Sequence, residues 1–155
     1  TELSRMYQGL KVKQSGSTGY LVISLEEPLQ ASIHHFLLAC LGHKSSFIIG
    51  VRDLRYKSQA VGHDVALINE EGKILGVDAK SFSPQASIIN TGIYYFPHPF
   101  LLRIYQYLNI EHPNGERIAA FIDWLSKKET LYAFEVDGCS KRYEKYQTSV
   151  EAQCS

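Results

Sequence analysis

Asn90-Thr91-Gly92 is the most chemically suggestive triplet in the chain, because it lies inside an apolar, β-branched and aromatic run from Ile88 to Phe96. An Asn amide offers two donor hydrogens and an acceptor oxygen. A Gly inside a strand weakens it unless the strand bulges there or a ligand must come close to the backbone. The triplet is therefore either part of a ligand site or a bulge in a buried strand, and the residues alone leave both readings open. Lys80, ten residues upstream, is the nearest basic candidate. Its ammonium can hold a phosphate as a point charge, or it can be an ordinary surface lysine.

Other familiar constellations are missing. The histidines are His34, His35, His43, His63, His98 and His112, with no His-Glu-x-x-His pattern. His34 and His35 are neighbours on an expected helix and do not face a common ligand, so no metal is assigned to any histidine. There is no Gly-x-Ser-x-Gly elbow and no recognisable nucleophilic cysteine. Gln14-Ser15-Gly16-Ser17-Thr18-Gly19 is glycine-rich but lacks the spacing of a phosphate-binding loop, and a strand follows it, so it reads as a connecting loop. The aspartates Asp53, Asp64, Asp78, Asp123 and Asp137 are scattered. Magnesium chemistry on phosphates needs one or two carboxylates at adjacent loop ends, and no such pair stands out. No residue is assigned a catalytic role.

The elements that must position these residues can be read from periodicity. Residues 1–19 are weakly patterned and are taken as an extension or linker, with 20–155 as a single domain. Tyr20 to Ser24 and Phe47 to Val51 are short apolar runs that predict buried strands. Between them, Pro28 suits a first helical turn, and Leu29, Ile33, Phe36, Leu37, Cys40 and Leu41 recur at helical spacing until Gly42. Strand, helix and strand in that order predict a parallel pair with a right-handed crossover. Asp64 to Ile68 and Lys73 to Val77 flank Asn69-Glu70-Glu71-Gly72, which predicts a hairpin. After the long strand, Pro97 and Pro99 turn the chain into a helix with a stripe of Phe100, Leu101, Ile104, Tyr105 and Leu108. Asn114 is the expected cap of a further helix with Ile118, Phe121, Ile122 and Leu125 inward and Trp124 at the edge. Thr130 to Val136 predicts a last strand, Asp137-Gly138 a turn, and the remainder a polar tail.

Composition narrows the class. The 155 residues fit one domain, with formal net charge of zero. No basic stripe or nucleic-acid motif is present, so no nucleic-acid partner is expected. No apolar run reaches the roughly 20 residues of a membrane helix. Cys40, Cys139 and Cys154 are odd in number and form no CxxC pair, so a reducing, cytoplasmic setting is expected, with Cys40 a small core residue. The N-terminus has no signal-peptide core and opens on Thr1 rather than Met, which suggests a fragment or processed product.

Several stretches in this order resemble the sugar-1-phosphate nucleotidylyltransferases, in the branch of the glucose-1-phosphate thymidylyl- and uridylyltransferases. They are Phe47-Ile-Ile-Gly-Val-Arg-Asp53, Asp64-Val-Ala-Leu-Ile-Asn-Glu-Glu-Gly-Lys-Ile74, Lys80, Pro84-x-x-Ser87-x-x-Asn90-Thr91-Gly92-Ile93-Tyr94, Phe121-Ile-x-Trp124-Leu125 and Tyr132-x-Phe134-x-x-Asp137-Gly138. The resemblance spans roughly residues 20 to 138. It implies an α/β fold, a mixed and mostly parallel sheet flanked by helices, forming part of a Rossmann-like nucleotide-diphospho-sugar transferase fold. It implies a magnesium-dependent reaction of a nucleoside triphosphate with a sugar-1-phosphate. By the same resemblance, Lys80 meets the sugar phosphate, and Asn90, Thr91 and Gly92 line the sugar pocket.

The sequence also departs from that family. Nothing matches its N-terminal Gly-rich nucleotide loop. Tyr20 to Glu27 lacks the magnesium-binding Asp that ends the corresponding strand. Ala79 stands where the family has a Glu before its Lys, and Cys139-Ser-Lys-Arg-Tyr143 replaces the segment with the second magnesium Asp. Phosphoryl transfer depends on positioning and on metal neutralising charge. The expectation is a degenerate domain that keeps part of a sugar-phosphate pocket with little or no catalysis, without a cofactor unless magnesium serves a residual activity. The alternatives are an interaction or homo-oligomerisation module, and a piece of an active enzyme completed by another chain.

Overall fold

The computed structural model describes residues 2–11, 19–23, 34–115 and 117–136. Its elements are α1 (Glu2–Lys11), β1 (Gly19–Ile23), α2 (His34–Gly42), β2 (Phe47–Asp53), β3 (Val65–Ile68), β4 (Ile74–Asp78), β5 (Ile88–Pro97), α3 (Phe100–Gln106), α4 (Ile118–Ser126) and β6 (Leu131–Glu135). A 3-10 turn occupies Lys57–Ala60, and a π-helical turn, Tyr107–Glu111, continues α3. No described helix is long and apolar enough to cross a membrane.

The long strand is the centre of the molecule, as its apolar sequence predicts. β5 is flanked by β2 on one side and by β3 and β1 on the other, giving the order β4-β3-β5-β2-β6 with β1 on β5. Only β2 and β6 run parallel; β1, β2 and β3 all pair antiparallel with β5, and β4 pairs antiparallel with β3. The sheet is therefore mixed but mainly antiparallel, which corrects the mostly parallel sheet expected from sequence. The expected adjacent pair of β1 and β2 is also corrected. The two do run in the same direction, but β5 lies between them and takes the ladder hydrogen bonds of both.

Both faces of β2 and β5 are covered, so their residues read as nearly unbroken apolar runs. On one face Phe47, Ile49, Val51, Ile88, Tyr94 and Phe96 pack under α1, α3 and α4. Phe96 stacks on Phe100 with ring centroids 4.2 Å apart and planes 12° apart. On the other face Ile48, Ile93 and Tyr95 meet Phe36, Ala39 and Cys40 of α2. A third cluster joins Ala60 of the 3-10 turn to Val65 and Ile89. Of the expected α2 stripe, Phe36 and Cys40 are buried, Leu41 is exposed, and Leu29 and Ile33 lie outside the described residues, as does Pro28.

α1 was not foreseen in the weak N-terminal pattern. Leu3 and Tyr7, spaced i and i+4, are buried, and the Tyr7 ring lies 6.3 Å from that of Tyr105 on α3. Tyr105 is thus turned to the outer side of α3, and Tyr107 takes the inward place. The π turn shifts the stripe: the His112 N–H donates to the Tyr107 carbonyl at 2.7 Å, five residues back. α4 begins after Arg117, an extended residue with no side-chain cap, so Asn114 is not the cap expected from sequence. Asp137 and Gly138 lie outside the described residues.

The β3–β4 hairpin forms as expected, with Gly72 at φ 79° and the Asn69 side chain accepting the N–H groups of Glu71 and Lys73. Its tip crosses to the far edge of the sheet. There the Gly72 carbonyl accepts the Ala133 N–H at 2.8 Å, and Lys73 forms an antiparallel bridge with Tyr132. The hairpin thus touches both ends of the strand order. The outer edge of β4 is covered by α4 side chains: Asp123 accepts the Val77 N–H, and Lys127 donates to the Leu75 carbonyl. This satisfies backbone groups that would otherwise invite a foreign strand. A Cβ at Gly76 would stand 2.9 Å from Asp123 Oδ1, so only glycine lets the helix approach so closely.

Candidate functional site

The Asn-Thr-Gly triplet forms a bulge. Ile49 pairs with Tyr94 and Val51 with Asn90, so three residues of β5, Thr91 to Ile93, oppose the single Gly50 of β2. Gly92 adopts φ 78°, which a glycine accepts without steric cost. Each polar group of the triplet helps hold this shape. Asn90 Oδ1 accepts the Gly92 N–H at 3.0 Å, and its Nδ2 donates to the Tyr94 hydroxyl at 2.7 Å. Thr91 Oγ1 donates to the Gly50 carbonyl at 2.7 Å. A Cβ on Gly50 would lie 2.9 Å from Thr91 Oγ1 and 3.0 Å from the Ile93 carbonyl, so this glycine is also required. Asn90 and Thr91 are only 7% and 6% exposed, and Gly92 is half-buried. Of the two readings left open by the sequence, the structure shows the bulge.

Lys80 lies in the turn two residues past the end of β4, exposed, with φ 46°. Its N–H donates to Asp64 Oδ1 at 2.8 Å. Asp64 also accepts the Asn90 N–H on its own main-chain carbonyl, again at 2.8 Å. One aspartate therefore joins the two sequence-predicted places, with its carboxylate on the Lys80 turn and its backbone on the start of the bulge. The side chains part company: the Asn90 amide points into the protein against Tyr94, while the Lys80 side chain is at the surface.

The same end of the sheet holds a second loop. Asp53 closes β2 opposite Ile88, and its Oδ1 accepts the Ser87 hydroxyl at 2.7 Å and the Arg55 N–H at 2.8 Å. Arg55 has φ 69°. The loop after it is tied to the Lys80 turn, since the Gly62 N–H donates to the Ser81 carbonyl at 2.8 Å and the Ser81 N–H to the His63 carbonyl at 3.0 Å. From sequence, Arg55 belongs to the polar run Arg52 to Lys57 expected to leave the sheet, with no functional role assigned to it. The signal available there was a lone Asp two residues earlier, a spacing that permits an Asx turn.

Among the described residues the carboxylates do not fit the magnesium implied by the family resemblance. Asp53, Asp64 and Asp123 each direct a carboxylate oxygen at backbone N–H groups, and Asp123 also meets Lys127 Nζ at 3.0 Å. Among the described residues no three His, Cys, Asp or Glu side chains are grouped to hold a metal ion. His34 and His35 are exposed, with rings edge to face at 5.9 Å. Cys40 is buried, and burial pushes its thiol up to about 12, the opposite of what a nucleophile needs.

The fold has a counterpart among solved structures. A protein of Bacillus anthracis assigned as a glucose-1-phosphate thymidylyltransferase, crystallised with a sucrose, superposes with a TM-score of 0.64 at 17% identity. The match covers 94% of this chain and 58% of that one. The chain shares a nucleotidyltransferase-like α/β fold. At that identity the likeness carries the architecture alone. No family model and no curated protein matches the sequence.

Proposed function

We propose that this chain is a degenerate sugar-phosphate nucleotidyltransferase-like domain. It binds a sugar phosphate where β3, β4 and β5 meet and performs little or no nucleotidyl transfer. The observation that carries this reading is the bridging role of Asp64, which fastens the Lys80 turn to the Asn90 bulge. Lys80 supplies the charge for the phosphate, and the half-buried Gly92 backbone and its neighbours Asn90 and Thr91 border the sugar. The likeness to a glucose-1-phosphate thymidylyltransferase supports the choice of ligand class. The carboxylates committed to backbone N–H groups support the lack of catalysis. A reducing, cytoplasmic setting accords with Cys40 as a buried free thiol.

Thermal unfolding with glucose-1-phosphate tests the reading. A ligand that binds only the folded state raises the melting temperature by mass action. A rise at millimolar ligand, with no pyrophosphate released from nucleoside triphosphate and magnesium, is expected. No rise would remove the sugar-phosphate site, and steady pyrophosphate release would remove the claim of impaired catalysis.

One observation favours assembly as a second role. Leu102 and Ile110 on the outer side of α3 and its π turn are 69% and 68% exposed, beside the half-exposed Tyr105. Apolar surface of this kind marks contact sites. Homo-oligomerisation or a partner chain would cover it. Sedimentation showing a monomer at every concentration would argue against the homo-oligomer.

A further inference from the structure

We infer that Arg55 is a second phosphate-binding cation beside Lys80, and that the exposed Phe82 supplies the face on which the ligand's sugar ring packs. The inference rests on the sugar-phosphate reading above and adds two residues to it. Among the described residues Arg55 and Lys80 are the only non-glycine residues with positive φ, at 69° and 46°. Left-handed backbone strains an ordinary side chain, and Gly, Asn or Asp relieve it. Here the strained positions hold a guanidinium and an ammonium instead. Both are fixed in the same way, by a backbone N–H donated to an aspartate Oδ1 at 2.8 Å. Both side chains are exposed, and among the described residues neither has an ion-pair partner. Strained backbone held by its surroundings collects at binding sites.

The two loops are joined by backbone hydrogen bonds at the same end of the sheet. β2 and β3 flank β5 on opposite sides, Asp53 opposite Ile88 and Val65 opposite Ile89, so the two anchor points lie about 10 Å apart, twice the strand spacing. The Gly62–Ser81–His63 hydrogen bonds close the gap between the loops. Arg55 follows Asp53 by two residues and the Lys80 N–H is held by Asp64, so two long basic side chains rooted near these anchors have the length to converge on one phosphate group. Phe82 follows Lys80 by two residues and is 89% exposed, the largest exposure among the exposed large apolar residues. An aromatic face left in water two residues from Lys80, a cation with no ion-pair partner among the described residues, suits an anion that carries a ring. Single-stranded nucleic acid shares that chemistry, but two cations and a chain of zero net charge favour a small ligand.

Calorimetric titration of the whole chain with glucose-1-phosphate, inorganic phosphate and a short oligothymidylate provides the test. Arg55→Asn and Lys80→Asn remove charge while placing a residue that tolerates left-handed backbone, so both should fold. Each should raise the Kd for glucose-1-phosphate about tenfold, the worth of one charge-assisted hydrogen bond. Phe82→Ala should weaken glucose-1-phosphate and leave inorganic phosphate unchanged. If Lys80→Asn weakens the sugar phosphate and Arg55→Asn does not, Arg55 is excluded while the parent reading stands. If Phe82→Ala has no effect, the ring contact is excluded. If the unaltered chain binds no glucose-1-phosphate, the parent reading falls and takes this one with it. Tighter binding of oligothymidylate than of the sugar phosphate would reassign the surface to nucleic acid.

Discussion

The Asp123 carboxylate accepts the Val77 N–H at 2.8 Å across 46 residues of sequence, and so joins α4 to the outer edge of the sheet. Removing the acceptor leaves a part-buried backbone donor without its partner. Asp123→Ala should lower stability by about 1–3 kcal/mol, the usual cost of such an orphan. Asp123→Asn keeps an acceptor oxygen and should recover most of the loss. Urea denaturation of the three proteins measures it, and equal losses from Ala and Asn would show that the charge and not the hydrogen bond matters.

What was legible in the sequence was local. β5, the β3–β4 hairpin and the buried face of α4 follow from runs, turn residues and spacing within a few positions of each other. The pairing of β1 was not legible, because two short apolar strands flanking a helix look alike whether they pair with each other or straddle a third. α1 escaped because Leu3, Met6 and Tyr7 make a short stripe that gains meaning only against α3. At the candidate site the residues could be named from sequence, but the shape of their strand could not. Asn90 and Tyr94 would stand about 13 Å apart in a regular strand, and only the bulge at Gly92 brings amide and hydroxyl to 2.7 Å.

Glu111 and Trp124 provide a titration that can be followed optically. Trp124 Nε1 donates to Glu111 Oε2 at 2.7 Å, and this bond, helped by Lys128 and Gln106, holds the Glu111 carboxyl below its ordinary 4.5. A carboxyl depressed in the folded state contributes stability above its unfolded value and loses it as pH falls through the folded one. Trp124 is the only tryptophan, so its emission reports the bond directly. The emission should change with a midpoint below pH 4.5, and Glu111→Gln should abolish that step. A midpoint at or above the ordinary value would mean the bond does not form in solution.

Cys40 should be inert in the folded protein. Its thiol is pushed up to about 12 by burial between α2 and the sheet, so almost no thiolate exists near neutral pH. Peptide mapping after alkylation at pH 8 should find Cys40 unmodified in the native chain and fully modified in denaturant. Modification of the native chain would place it outside the core.

The Asn90–Tyr94 bond makes stability and ligand binding separable at the site. Tyr94→Phe leaves the Asn90 Nδ2 without its partner in a buried setting and should cost about 1–3 kcal/mol. Asn90→Ala should cost at least as much, because it also frees the Gly92 N–H. Groups in direct contact do not act additively, and the double variant should fall short of the summed losses by about 1 kcal/mol. If Asn90 serves only the bulge, Tyr94→Phe and Asn90→Ala should weaken glucose-1-phosphate binding to the same degree. A much larger loss from Asn90→Ala, at matched stability, would show that the amide also meets the sugar. Strict additivity of the two stability losses would instead break the link between the Tyr94 hydroxyl and the bulge.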